Sequence, residues 1–168
     1  MSYAAGFEYD VFVSYAFVDD TPLTGVDTGW VTAFVRSLES QMAVYLGRVE
    51  NVSVWWDRTN LCEEEKLSTQ IAESLKKTAT LLVILSPAYM ASDWCRQERD
   101  VFLEAVRSQA GSDKRIFLVD LGRLETLERP PELTDFVPFK FWKVDESGRR
   151  TPLGLSLIHI SEPTRPQC

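Results

Sequence analysis

In the stretch SPAYMASDWCRQE, residues 86 to 98, Trp94 and Glu98 stand four positions apart. On a helix that spacing puts an indole and a carboxylate side by side on one face. The same stripe continues through Val101, Phe102 and Ala105, while Arg96, Arg99, Asp100, Glu104 and Arg107 fall on the other faces. A helix turns its apolar stripe inward. Glu98 is therefore expected half-buried at the edge of a core, where an ionised carboxylate is costly unless something pairs with it or uses it. The plainer alternative is an acidic residue stabilised by the positive end of its own helix.

Other chemistries are narrowed by what the chain lacks. The single histidine, His159, falls in a C-terminal stretch discussed below, so Ser/His/Asp and Cys/His nucleophilic schemes have no base. Cys62, Cys95 and Cys168 form no CxxC pair and no metal-ligand spacing, which reads as a reduced chain without a disulfide framework. Cys95 reads as a small buried hydrophobe. No GxGxxG follows a strand and no GxxxxGK[ST] occurs, so neither a Rossmann-held cofactor nor a P-loop nucleotide is supported. What remains is chemistry run by carboxylates, hydroxyls and aromatics. Asp19 and Asp20 after the first strand could hold Mg²⁺ as in receiver domains, but two solvated loop aspartates are the simpler reading.

The 168 residues carry a net charge of -7, with 45% hydrophobic and 26% charged side chains. That profile suits one globular domain with its own core and argues against nucleic acid as partner, since phosphate-backbone affinity needs clustered Lys and Arg. The N-terminus MSYAAGFEYD lacks a signal peptide's basic and apolar regions, and the longest solid apolar run, Leu81 to Leu85, is too short to span a bilayer. A cytoplasmic chain with no membrane partner is expected. From Leu155 the sequence LSLIHISEPTR resembles the conceptual translation of a sequencing-library adaptor. Residues 155–168 are accordingly taken as an artefact tail, 1–154 as the domain, and a native continuation with a downstream domain as missing.

The elements that must position Glu98 follow from periodicity. Strand-like runs occupy Tyr9 to Tyr15, Val52 to Trp56, Thr80 to Leu85, Arg115 to Leu121 and Pro138 to Trp142. The second to fourth are nearly continuous in apolar residues, as expected of parallel strands covered on both faces. Helical patterns run from Trp30 to Leu46, with a stripe Val31, Phe34, Val35, Leu38, Met42 and Tyr45, from Leu67 to Thr78, and from Ser92 to Ala110. Alternating strands and helices predict an α/β fold with a flavodoxin-like, doubly wound, five-stranded parallel sheet. In that fold a ligand lies beyond the carboxyl ends of the strands at the switch point, between the first and third strands. Ser14 to Ala16 and Ser86 lie there, and the segment after Ser86 carries Trp94 and Glu98.

YDVFVSY, then WWDR at Trp55 to Arg58, then SPAYMASDWCRQE, then Phe141 and Trp142, in this order and spacing, resemble the successive boxes of a Toll/interleukin-1 receptor (TIR) domain over roughly residues 7–145. The WCxxE box with its preceding SPxY is closer to bacterial and plant members, many of which resemble NAD⁺-cleaving enzymes, than to animal receptor adaptors. The resemblance implies that Glu98 is the catalytic residue of an NAD⁺ glycohydrolase, with NAD⁺ as substrate and no cofactor or metal. It aligns Tyr15, Ala16 and Phe17 with the family's substrate-lining loop, makes Trp94 a face for a substrate ring, and aligns Asp57 with the acidic end of the second strand. The first loop lacks the family's usual Arg, which leaves Arg58 as the candidate phosphate contact. The resemblance further implies self-association through TIR domains, a role in immune or anti-phage signalling, and a last helix that this chain lacks. The rival reading is a non-catalytic TIR scaffold in which Glu98 is structural.

Overall fold

The computed structural model describes residues 2–47, 52–56, 69–107, 115–124 and 129–153. Strand β1 (Tyr9–Ser14) is followed by a short 3-10 turn over Phe17–Asp20, helix α1 (Trp30–Leu46) and strand β2 (Val54–Trp55). Helix α2 (Thr69–Lys76), strand β3 (Thr78–Leu85) and two consecutive helices, α3 (Pro87–Ala91) and α4 (Asp93–Arg107), come next. Strands β4 (Ile116–Asp120) and β5 (Phe139–Lys140) complete a parallel sheet of order β2-β1-β3-β4-β5. This is the flavodoxin-like winding expected from the alternation of elements.

Both faces of the central strands β1 and β3 are covered, which is why they are rich in buried apolar residues, while Phe117 of β4 and Phe139 of β5 stay exposed. Phe12, Leu81, Val83 and Leu118 point to one side and join Ile71 and Leu75 of α2 and Phe102 and Val106 of α4. The alternate residues Val11, Val13, Leu82, Ile84 and Val119 point to the other and meet Val31, Phe34 and Val35 of α1. The period of two along β1 and β3 thus divides one sheet between two cores.

The ends of the helices are set by local chemistry. Ser86 caps α3, its Oγ accepting from Tyr89 N–H at 3.0 Å with Pro87 in the first turn, and Ser92 Oγ accepts from Cys95 N–H at 3.2 Å at the start of α4. Helix α1 is capped from a distance: Asp20 Oδ1 accepts from Thr32 N–H at 2.7 Å and Oδ2 from Thr32 Oγ1 at 2.6 Å. This works because the chain returns to its starting point, and a Cβ at Gly29 would lie 1.8 Å from the Asp20 carbonyl oxygen.

Four expectations need correction. The run from Pro138 to Trp142 is not one strand: it breaks at Phe141, and β6 (Trp142–Val144) pairs antiparallel with β7 (Arg150–Pro152) in a separate hairpin. The step between β3 and α4, read as a connecting segment, contains helix α3. Tyr45, placed on the buried stripe of α1, is 86% exposed, because the inward face of that helix closes on the sheet only near its start, at Val31, Phe34 and Val35. Arg99, placed on an outer face of α4, is buried. The inward stripe runs through Cys95, Glu98, Arg99, Phe102 and Val106, so it is rotated past Trp94 toward Cys95. Beside α1 the sheet also opens into an apolar groove of about 400 Å³ lined by Phe34, Leu38, Phe117 and Phe139 among others.

A candidate active site at the switch point

At the C-terminal ends of β1 and β3, where the winding reverses, lies a cavity of about 460 Å³. The turn after β1 supplies one wall, with Tyr15, Ala16, Phe17 and Val18. The opposite wall comes from Ala88 and Ala91 of α3 and from Trp94, Cys95 and Glu98 of α4. The structure therefore brings five of the seven expected residues together. Asp57 and Arg58 lie outside the described residues.

Glu98 is 5% exposed, and its two oxygens are engaged by different elements. Ser14 Oγ, at the end of β1, donates to Oε2 at 2.5 Å; Trp94 Nε1, one turn earlier on α4, donates to Oε1 at 2.9 Å. Two neutral donors thus fix the carboxylate plane at the cavity wall. Such a preoriented negative group in a cleft is suited to stabilising positive charge that develops beside it.

Two further polar groups lie near Glu98, the Tyr89 hydroxyl and the Cys95 thiol. Tyr89 is fully buried below it, its hydroxyl 3.4 Å from Ser14 Oγ and 3.5 Å from the Cys95 carbonyl oxygen, and burial holds the phenol well above its ordinary value. Burial, with the nearby Glu98 charge, pushes the Cys95 thiol up to about 12, so it remains a neutral thiol at physiological pH.

Two polar residues of this edge, Ser14 and Asp19, make contacts that the sequence did not assign to them. Ser14 had a signal: it follows Phe12 by two positions and so faces the same side of β1 as the α4 core. Asp19 did not. Far from being solvated, it is buried, accepting a hydrogen bond from Ser86 Oγ and one from Arg123 Nη1 at 3.1 Å. Desolvation raises its carboxyl above the ordinary value, against the opposing pull of Ser86 and Arg123. Asp20 is occupied in capping α1, so the two aspartates do not form a common cation site. Among the described residues no three His, Cys, Asp or Glu side chains cluster as metal ligands do.

A family model for the TIR domain matches residues 11–151. The chain belongs to the TIR domain family. No match was found among curated proteins. Among solved structures, the TIR domains of the activated Roq1 resistosome, which directly recognises the pathogen effector XopQ, align over 71% of this chain at 20% identity and a TM-score of 0.47. A metazoan TIR-STING receptor from C. gigas aligns over 80% at 18% identity and a TM-score of 0.49. The TIR domain of the Toll-related receptor TRR-2 from Hydra magnipapillata aligns over 79% at 14% identity and a TM-score of 0.47. The chain spans 60% of the Roq1 chain and 38% of the TIR-STING chain, less than two thirds of either, and 84% of the Hydra domain. Among the described residues of this TIR domain, no helix is long and apolar enough to cross a membrane.

Proposed function

We propose that this TIR domain is an NAD⁺ glycohydrolase of the bacterial type. In NAD⁺ the bond between ribose C1′ and the nicotinamide nitrogen is already polarised by the pyridinium charge. When it breaks, the bonding pair returns to the ring and nicotinamide leaves neutral, so no acid is needed to protonate it. The ribosyl centre takes on oxocarbenium character, and an adjacent carboxylate lowers the cost of that charge. Glu98 is the residue for this role. Trp94 offers a ring face beside the substrate, with cation–π attraction for the pyridinium on the order of 1 kcal/mol. Water attack on C1′ gives ADP-ribose; capture by the substrate's own adenine nitrogen gives a cyclic product. Tyr15, Ala16 and Phe17 line the substrate space, and we assign Arg58 and Asp57 as further substrate contacts on the family resemblance. We place the activity in the cytoplasm, in immune or anti-phage signalling, with self-association of TIR domains.

The observation that supports this reading is the pair of hydrogen bonds from Ser14 and Trp94 that orient Glu98 at the wall of the 460 Å³ cavity. A carboxylate serving only to stabilise its helix has no need of two aligned donors beside an open space. The deciding measurement is nicotinamide release from NAD⁺ by the chain at high concentration under crowding, beside Glu98→Gln and Glu98→Ala. Turnover in the parent that falls by about three orders of magnitude in both folded variants is expected. Absence of turnover in the parent sinks the enzyme and leaves a TIR scaffold.

A further inference from the structure

Asp19 is a second buried carboxylate at the C-terminal edge of the sheet, and nothing in the chemistry at Glu98 uses it. It belongs to the turn Phe17–Asp20 that forms one wall of the cavity. The turn presents Phe17 and Val18 at 62% and 60% exposure, so burial of its apolar side chains cannot be what holds it in place. The Asp19 side chain, by contrast, is 4% exposed.

Its partners show what the burial achieves. Ser86 Oγ accepts from Tyr89 N–H to cap α3, and its one O–H is directed at Asp19 Oδ2. Arg123, in the segment after β4, donates to Oδ1 at 3.1 Å. The carboxylate therefore joins the turn after β1 to the capping residue of α3 and to the segment after β4. Ala88 and Ala91 of α3 line the cavity together with Phe17 and Val18 of the turn, so the contact from Asp19 to Ser86 ties together two of the elements that line it. Asp20 ties the same turn to α1.

We propose that Asp19 is a positioning residue of the NAD⁺ cleft, holding the Phe17 wall at a fixed distance from α3 and α4 through Ser86 and Arg123. The proposal rests on the NAD⁺ reading for its substrate, and on geometry alone for the fixing of the wall. The two parts separate in experiment.

The test uses the full chain with Asp19→Ala and the isosteric Asp19→Asn, which serves if the alanine variant does not fold. Backbone hydrogen exchange is followed over Tyr15–Thr21 and, as an internal reference, over α4. About tenfold faster exchange confined to Tyr15–Thr21 is expected, as for a segment that loses its local tie. Unchanged exchange overturns the positioning role whether or not the chain turns over NAD⁺. With turnover, a KM raised about tenfold and kcat within about threefold are expected, the pattern of a lost binding wall. In a Phe17→Ala background the further effect of Asp19→Asn should shrink, since the wall it places is gone; full additivity overturns the proposal. A parent chain without turnover overturns the NAD⁺ reading and with it the assignment to that cleft, and is distinguished from failure of the positioning role by the exchange result.

Discussion

Ser14 and Glu98, 84 residues apart in sequence, meet at 2.5 Å between a serine hydroxyl and a carboxylate oxygen. The contact links the last residue of β1 to the second turn of α4 and passes through the middle of the molecule's switch point. It makes the orientation of Glu98 a property of the sheet as well as of its own helix.

Removing that link should disturb chemistry more than binding. Ser14→Ala leaves Oε2 without this donor and lets the carboxylate turn about its terminal torsion. The expected result is a kcat lower by about 10- to 100-fold with KM changed less than about threefold, measured as initial rates of nicotinamide release. A larger effect on KM than on kcat would contradict this account.

Trp94 supplies a ring face and an N–H, and the two can be separated. Trp94→Phe keeps a flat aromatic surface but loses the 2.9 Å bond to Oε1, whereas Trp94→Leu loses both. If the indole is a ring platform, the phenylalanine variant retains NAD⁺ affinity and loses turnover, and the leucine variant loses both. Titration of NAD⁺ against each variant in a Glu98→Gln background reads the affinity without turnover.

Asp19 gives stability a defined pH dependence. Its carboxyl is raised above the ordinary value of 3.8 by burial, so the folded chain holds that proton more tightly than the unfolded chain does. Its contribution to stability is therefore greatest in acid and is lost as pH rises through the raised value. Thermal unfolding of the parent and of Asp19→Asn across pH 4 to 7 should show the parent losing ground to the variant as pH increases; the opposite slope would mean that Arg123 and Ser86 outweigh desolvation.

Cys95 lines the cavity and yet should be inert. It is 1% exposed and its thiol is held up to about 12, so little thiolate is present at neutral pH. In a chain with Cys62→Ser and Cys168→Ser, iodoacetamide at pH 8 should label Cys95 only after denaturation. Rapid labelling of the native chain would show that the cavity wall opens.

How much of this was legible in the sequence depends on the physical origin of each feature. The sheet was readable chiefly from β3, which is covered on both sides and so writes an apolar run that neither a loop nor an exposed strand would carry, and from the alternation of strand-like and helical patterns around it. The conjunction of Trp94 and Glu98 was readable because both residues lie on one helix, where spacing alone fixes proximity. Arg99 was misplaced for a related reason: periodicity gives the angles between residues on a helix but not the direction in which the stripe faces. Asp19 was out of reach, since its burial depends on Ser86 and Arg123, whose arrival beside it is decided by tertiary structure. Helix α3 is five residues long, too short to write a period of its own.

The near-contact between Gly29 and the Asp20 carbonyl gives the TIR domain a closed neck below residues 21–28. Chain length inside the neck is decoupled from the geometry of the cleft, because the excursion leaves and re-enters at one point. Leu23 and Val26 hang outward from it, 76% and 53% exposed. The excursion is thus a natural graft point, where an epitope, a fluorophore or a whole recognition segment can be carried beside the cleft without passing any strain into α1 or the sheet.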